Sequence, residues 1–135
     1  MQYWLIKSEP VKYSFDDLRR DKKTHWNGVR NFQARNNLRA MKKGDALLFY
    51  HSNEDKAIIG TAEVMREAYP DDSATDGDWS MVDVKVLQKL ATPVTLATIK
   101  AHPVLSKMQL VKQSRLSVLP VTKAEFELVL ELGNL

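Results

Sequence analysis

The sequence predicts an α+β fold, built as one small, curved, mixed sheet or partly open barrel with short helices around it. Strand-like and helix-like stretches are interspersed irregularly, without the regular alternation of a doubly wound sheet. The 135 residues are enough for one real core. They contain no internal repeat, low-complexity tract or linker. We therefore expect a single domain over residues 1–135.

The N-terminal segment predicts a strand followed by a short helix. Gln2–Lys7 is rich in aromatic and aliphatic residues. Pro10 cannot continue a strand ladder, so Ser8 and Glu9 are expected at the strand end. Ser14 has a side chain suited to a helix N-cap, and the carboxylates of Asp16 and Asp17 follow it in the first turn.

The polar stretch Thr24–Arg39 is the most unusual part of the chain. It combines a tryptophan, a glycine, four asparagines, a glutamine and three arginines. Asn27-Gly28 predicts a turn, because both residues tolerate positive φ. The turn should present Trp26 just before a helix, which Gly44 is suited to terminate.

The rest of the chain predicts further strands and two short helices. Thr122 and Glu125 have capping-box spacing at the start of a final helix. Thr95 is suited to cap a shorter helix, and Gly60 inside a strand predicts a bulge or a close backbone approach. The predicted strands are Ala46–Tyr50, Ala57–Glu67, Met81–Leu87 and Ser117–Val121.

The net charge of +3 conceals a strong asymmetry. Residues 19–43 hold nine basic residues against one acid, whereas residues 54–78 hold eight acids against two basic residues. This pattern favours a polyanionic partner bound in a fixed orientation. Two solvated surfaces would give the same pattern.

Several kinds of chemistry find no support. The chain has no cysteine, and its three histidines share no metal-ligand spacing. There is no glycine-rich phosphate motif. We therefore expect no catalytic constellation, no metal and no cofactor. No apolar run approaches the ~20 residues of a membrane helix. We expect a cytoplasmic location, with a nucleoid-associated or nuclear location as the alternative. We also expect a monomer.

Recognition of a nucleobase explains the polar stretch Thr24–Arg39 better than catalysis or metal binding does. A base stacked on Trp26 would gain about 1–3 kcal/mol, while Ser8 and Asn31 could read its edge. The alternative is a buried Trp26 whose N–H is satisfied by Asn31. Trp4, inside a strand, is expected in the core. We expect basic side chains to hold phosphates without reading sequence, namely Arg30, Arg35, Arg39, Lys42 and Lys43.

We expect further residues near this site, and for some of them the sequence allows more than one role. Tyr50, His51 and Ser52 follow a strand and are expected to line the same cavity. Trp79 could be a lid over it. Ser114 and Arg115 precede the last strand, where Arg115 could hold a phosphate or form a surface salt bridge.

Several blocks of the chain together resemble the EVE domain family. The blocks are Tyr3–Pro10, Trp26–Arg39, Phe49–Ser52, Gly60–Val64, Glu67–Asp71, Pro93–Leu96 and Gln113–Val118. This family is similar to the PUA-like fold and to YTH domains, which read methylated adenine in RNA. The resemblance implies a small β-barrel flanked by short helices, with a pocket for a modified or flipped base.

The resemblance also implies roles for individual residues. It places Trp26 as the aromatic wall of the pocket and leaves Tyr50, Tyr69 and Trp79 as candidates for a second wall. The residues implied at the rim, floor and far side are Lys7, Ser8, Glu9, Gly28, Val29, Asn31, Arg115 and Ser117.

Three hypotheses follow. The first is a non-catalytic reader of a modified nucleobase in DNA or RNA. The second is a sensor or enzyme acting on a free nucleoside-like small molecule in the same cavity. The third is a protein-interaction module that uses the acidic loop Asp71–Asp78.

Overall fold

The computed structural model describes residues 1–135 and contains six strands and five α-helices. The elements, in chain order, are β1 (Tyr3–Ser8), α1 (Phe15–Asp21), β2 (Lys23–Trp26), α2 (Phe32–Ala40), β3 (Ala46–His51), β4 (Ala57–Pro70), β5 (Ser80–Thr95), α3 (Leu96–Ala101), a 3₁₀ turn (Leu105–Lys107), α4 (Gln109–Lys112), β6 (Val118–Val121) and α5 (Lys123–Leu132). The predicted mixed α+β class is confirmed. None of the helices is long and apolar enough to cross a membrane.

All six strands form one sheet in the order β2-β5-β4-β3-β1-β6. Strand β1 runs parallel to β3 and antiparallel to β6. Strands β2 and β6 are edges and do not pair with each other, so the sheet is open and closure into a barrel is not confirmed. Register shifts between β4 and β5 mark bulges, which bend the long strands.

Local sequence signals explain most helix starts. Ser14 and Asp17 form a capping box on α1, and Thr122 and Glu125 form the predicted one on α5. Gly60 provides a close approach, because a Cβ there would collide with the ring of Phe15. These contacts fix α1 against the face of β4.

The structure differs from the expected boundaries in three places. Lys23–Trp26 is an edge strand on β5, although only a turn was expected around Trp26. Helix α2 ends at Ala40, and Gly44 has φ +93° in the turn before β3, where it does not cap the helix. Strands β4 and β5 are longer than their apolar patterns, since pairing with each other extends both.

Trp4 is a core residue, as expected. It is 4% exposed, and its indole Nε1–H donates to Asp45 Oδ2 at 3.0 Å. Asp45 also accepts from the backbone N–H groups of Gln2 and Lys42. The carboxylate thus satisfies a buried donor while it ties β1 to the turn before β3.

Candidate functional site

A cavity of about 380 Å³ opens where β1 ends. Parallel pairing places Lys7 beside Tyr50 and Ser8 beside His51, while the Lys7 N–H donates to the Ser117 carbonyl at 3.0 Å. The turn after β2 forms the opposite wall. The lining residues are Lys7, Ser8, Glu9, Lys12, Tyr13, Thr24, His25, Trp26, Asn27, Gly28, Val29, Arg30 and Ser117.

Trp26 lines this cavity but is largely enclosed by protein. Only 9% of the residue is exposed. The rings of Phe49 and Tyr13 pack edge-on against it, with centroids at 5.5 Å and 6.4 Å. The ring therefore meets the cavity along a limited part of its surface, and it does not stand free at the mouth as the stacking hypothesis implied.

The indole N–H of Trp26 remains available to a ligand. It makes no hydrogen bond within the chain, and yet no buried side-chain nitrogen lacks a partner, so this N–H must have accessible surface. Asn31 does not satisfy it, because Asn31 Oδ1 accepts from the Ala34 N–H as the N-cap of α2. The expected bond from Trp26 to Asn31 is therefore absent, whereas the burial that this alternative predicted is present, since Trp26 is 9% exposed.

Asp71 holds the turn that forms the cavity wall. Its side chain is fully buried and accepts from the Gly28 N–H at 2.8 Å and from Arg30 Nη1 at 2.9 Å. Ser73 donates to it through both its N–H and its hydroxyl. Burial alone raises the pKa of Asp71, but the bonds from Ser73, Gly28 and Arg30 outweigh it and bring the pKa from 3.8 to about 2. The turn is thus anchored by an ionised carboxylate.

Two further groups give the cavity polar character. The Ser8 hydroxyl donates to the Tyr13 carbonyl at 2.6 Å, which leaves its oxygen free to accept a bond from a ligand. Lys7 Nζ donates to the Ser114 carbonyl at 2.8 Å, and burial lowers the pKa of Lys7. Its ammonium still has two N–H groups that can bind a ligand.

A second cavity, of about 550 Å³, adjoins the first. Lys7, Ser8, Glu9 and Ser117 line both cavities. The remaining lining includes Tyr50, Ser52, Ser114 and three more basic residues, Lys56, Lys100 and Arg115. Its walls thus hold four cations against the single carboxylate of Glu9, a charge distribution that favours an anion.

Some predicted site residues lie elsewhere. His51 is buried and its two ring nitrogens bond to the Phe15 N–H and to Asp55, so the structure does not bring it to either cavity. Asn31 lines a third hollow, which it shares with Ser114 and Arg115. Trp79 lies outside all three and stacks on Phe32.

The basic residues predicted to hold phosphates are largely engaged within the chain. Arg30 pairs with Asp71, and Arg39 pairs with Asp78. Arg35 hydrogen-bonds only neutral acceptors, Asn36 Oδ1 and the Asp78 carbonyl. Lys42 and Lys43 are exposed in the turn before β3 and line neither cavity.

Sequence reasoning missed a titratable cluster beside the cavity. His25 Nδ1 lies 2.8 Å from Asp83 Oδ1 and 3.0 Å from the Tyr69 hydroxyl, which also bonds Asp83. Burial and the Asp83 charge raise the pKa of Tyr69 to about 12. Both hydrogen bonds of His25 use Nδ1. No group of three or more potential metal ligands is present.

Comparison with known proteins assigns the chain to a described family. The chain matches the EVE domain over residues 2–132. Human thymocyte nuclear protein 1 (THYN1) is 40% identical, over 96% of this chain and 73% of that protein. A protein from Rhodopseudomonas palustris, solved by NMR, is 48% identical with a TM-score of 0.94, over 99% of this chain and 94% of the other.

A crystal structure of human THYN1 in complex with 5-methylcytosine-containing DNA superposes with a TM-score of 0.90. It is 38% identical and covers 100% of this chain and 99% of the human one. Family match, identity and superposition all extend over nearly the whole fold. The chain belongs to the EVE domain family.

Proposed function

We propose that this protein is a non-catalytic reader that takes one modified base of DNA into the cavity beside Trp26. The observation that carries the proposal is a polar cavity lined by Trp26, whose indole N–H has no hydrogen-bond partner within the chain. At about 380 Å³ the cavity falls within the ~300–1,000 Å³ range of small-molecule sites. Support also comes from the human relative solved with 5-methylcytosine-containing DNA.

The base would be read by hydrogen bonds as well as by stacking. Trp26 Nε1–H can donate to a carbonyl oxygen or ring nitrogen of the base, and the Ser8 oxygen can accept from an exocyclic amino group. The small exposed area of Trp26 makes full-face stacking a minor contribution. Tyr13, packed edge-on against Trp26, is the second aromatic residue of the cavity.

The second cavity would hold the nucleic-acid backbone. Lys56, Lys100 and Arg115 line it. Lys7 lines both this cavity and the one beside Trp26, which we call the base cavity. Phosphates on either side of an extruded base would therefore meet a basic surface that carries no sequence information. A free neutral nucleoside would make no use of these cations, which disfavours the small-molecule alternative.

Binding of short oligonucleotides tests the proposal. We expect a labelled single strand with one 5-methylcytosine to bind at least about tenfold more tightly than its unmodified counterpart. Affinity should fall with salt at a log–log slope of about −0.7 per phosphate contact. An RNA strand of the same sequence is the competitor that separates DNA from RNA binding.

Two outcomes contradict the proposal. One is equal affinity for modified and unmodified strands. The other is salt-independent binding of free 5-methyl-2′-deoxycytidine as tight as that of the strand. Because the proposed ligand is DNA, we expect the protein to act at the nucleoid or in the nucleus. We also expect it to be a monomer.

A further inference from the structure

Phe32 is the most exposed aromatic ring of the molecule, and it lies close in the chain to the wall of the base cavity. It is 66% exposed. It follows Arg30, which lines the cavity, by two residues, so their Cα atoms are at most about 7 Å apart. Asn31, between them, lines the hollow that continues to Arg115.

The ring of Phe32 packs against a second aromatic ring. Trp79 stacks on it with centroids 5.3 Å apart and an interplanar angle of 14°. Gly77 makes this possible, because a Cβ there would lie 2.6 Å from the Trp79 indole nitrogen. An exposed phenylalanine braced by a second ring keeps a defined orientation at little entropic cost.

Positive charge surrounds this stack. The Arg35 guanidinium lies 5.0 Å from the Phe32 centroid and 5.8 Å from that of Trp79, and Arg30 lies 5.6 Å from Trp79. Arg35 has no carboxylate partner, so its charge is available to a phosphate. An apolar ring beside free positive charge is suited to a polyanion that has apolar stacked faces inside it, as duplex DNA has.

We infer that Phe32 is a wedge that enters the base stack of duplex DNA and fills the gap left when the read base turns into the cavity. The inference rests on the proposed function. Extruding a base from a duplex costs unstacking and unpairing, and an inserted apolar side chain offsets part of that cost. A single strand needs no wedge, because its bases are already free to turn outward.

The test compares a duplex and a single strand that carry the same 5-methylcytosine. We expect Phe32→Ala to weaken duplex binding about tenfold or more and to change single-strand binding less than about twofold. Phe32→Leu should retain most of the duplex affinity, because an apolar side chain still fills the gap. Leu87→Ala, at a 48% exposed position lining neither cavity, is the matched control.

A second duplex sharpens the assignment. With the partner of the 5-methylcytosine replaced by an abasic position, extrusion costs less, and the Phe32→Ala defect should shrink. 2-Aminopurine next to the modified base should brighten on binding the wild type and brighten less with Phe32→Ala. Unchanged melting temperatures of the variants would show that the fold is intact.

Each other outcome overturns the wedge. Equal losses on duplex and single strand would make Phe32 an ordinary ligand contact, and no loss on either would remove it from the DNA interface. Loss of self-association with unchanged DNA binding would assign the ring to a protein contact. If the wild type shows no preference for the modified single strand, the proposed function itself fails, independently of Phe32.

Discussion

Trp4 in β1 and Trp26 in β2 illustrate the difference between a residue that builds the fold and one that is available to a ligand. Trp4 and Trp26 are both at least nine-tenths buried. Trp4 donates its indole N–H to Asp45, whereas Trp26 lines a cavity and its N–H has no partner in the chain. Burial alone therefore does not separate the two roles, but the hydrogen-bond partner does.

Removing Trp4 should have the largest effect of any change considered. Trp4→Ala deletes a buried ring and leaves Asp45 without one of its donors, which we expect to lower the free energy of unfolding by about 3–5 kcal/mol. Chemical denaturation measures the loss. Affinity of the remaining folded protein for modified DNA should not change, and a specific loss of affinity would break the contrast with Trp26.

Asp71 provides the next largest effect, through the turn beside Trp26. Its pKa of about 2 in the folded protein lies below the 3.8 of a free aspartate. The ionised form is therefore favoured by folding, and its contribution of roughly 2–3 kcal/mol is present above about pH 4. It should be lost as the pH falls from about 4 towards 2.

Asp71→Asn should remove this acid sensitivity and most of the stabilisation, as measured by denaturation at pH 7 and pH 3. Asp78→Asn is the matched control, because Asp78 is 83% exposed and its pairing with Arg39 is solvent-screened. Equal effects of the two changes would show that Asp71 does not anchor the turn.

Trp26→Phe tests whether the indole N–H of Trp26, unlike that of Trp4, contributes to binding rather than to stability. Phenylalanine keeps an aromatic ring but lacks the five-membered ring that carries the indole N–H, so we expect a modest loss of stability, about 1 kcal/mol. Affinity for the 5-methylcytosine strand should fall at least about tenfold, equivalent to about 1.4 kcal/mol. In Trp4→Phe the order should reverse, with stability lowered and affinity kept. Chemical denaturation measures the stability of both variants, and titration by fluorescence anisotropy measures their affinity.

The smallest effect expected is on salt dependence. Lys100 lines the second cavity, whereas Lys43 lines neither cavity. Lys100→Met should therefore weaken binding of all sequences alike and reduce the log–log salt slope by about 0.7, whereas Lys43→Met should leave the slope unchanged. A slope that changes equally in both variants would remove the second cavity from the backbone path.

The sequence was sufficient for the mixed α+β class and for much of the local structure, whereas the predicted barrel is not confirmed because the sheet is open. The capping box of Thr122 and the positive φ of Gly28 depend on residues within a few positions of each other, which is why they could be predicted. The open edge β2 and the lengths of β4 and β5 depend on pairing between distant segments, and no local pattern reports that pairing.

The site was only partly predictable for the same reason. Trp26, Ser8 and Ser117 line the cavity as expected, and their positions in the family motifs were the signal. Tyr13 and Asp71 were missed as parts of the site, since Asp71 lies 43 residues from Gly28 in the chain. The sequence places Asp71 in an acidic loop available to a protein partner, but the Asp71 carboxylate is buried and bonds to Gly28 and Arg30. This leaves less of that loop for a partner to bind.

The central claim is that the Trp26 indole N–H is reserved for the ligand, and nitrogen–proton NMR of the three tryptophan side chains tests it most directly. In the free protein the Trp26 N–H should exchange rapidly with solvent, while the Trp4 N–H should be protected. Adding the 5-methylcytosine strand should shift and protect the Trp26 signal and leave that of Trp4 in place. A bound complex in which the Trp26 N–H still exchanges freely would contradict the account.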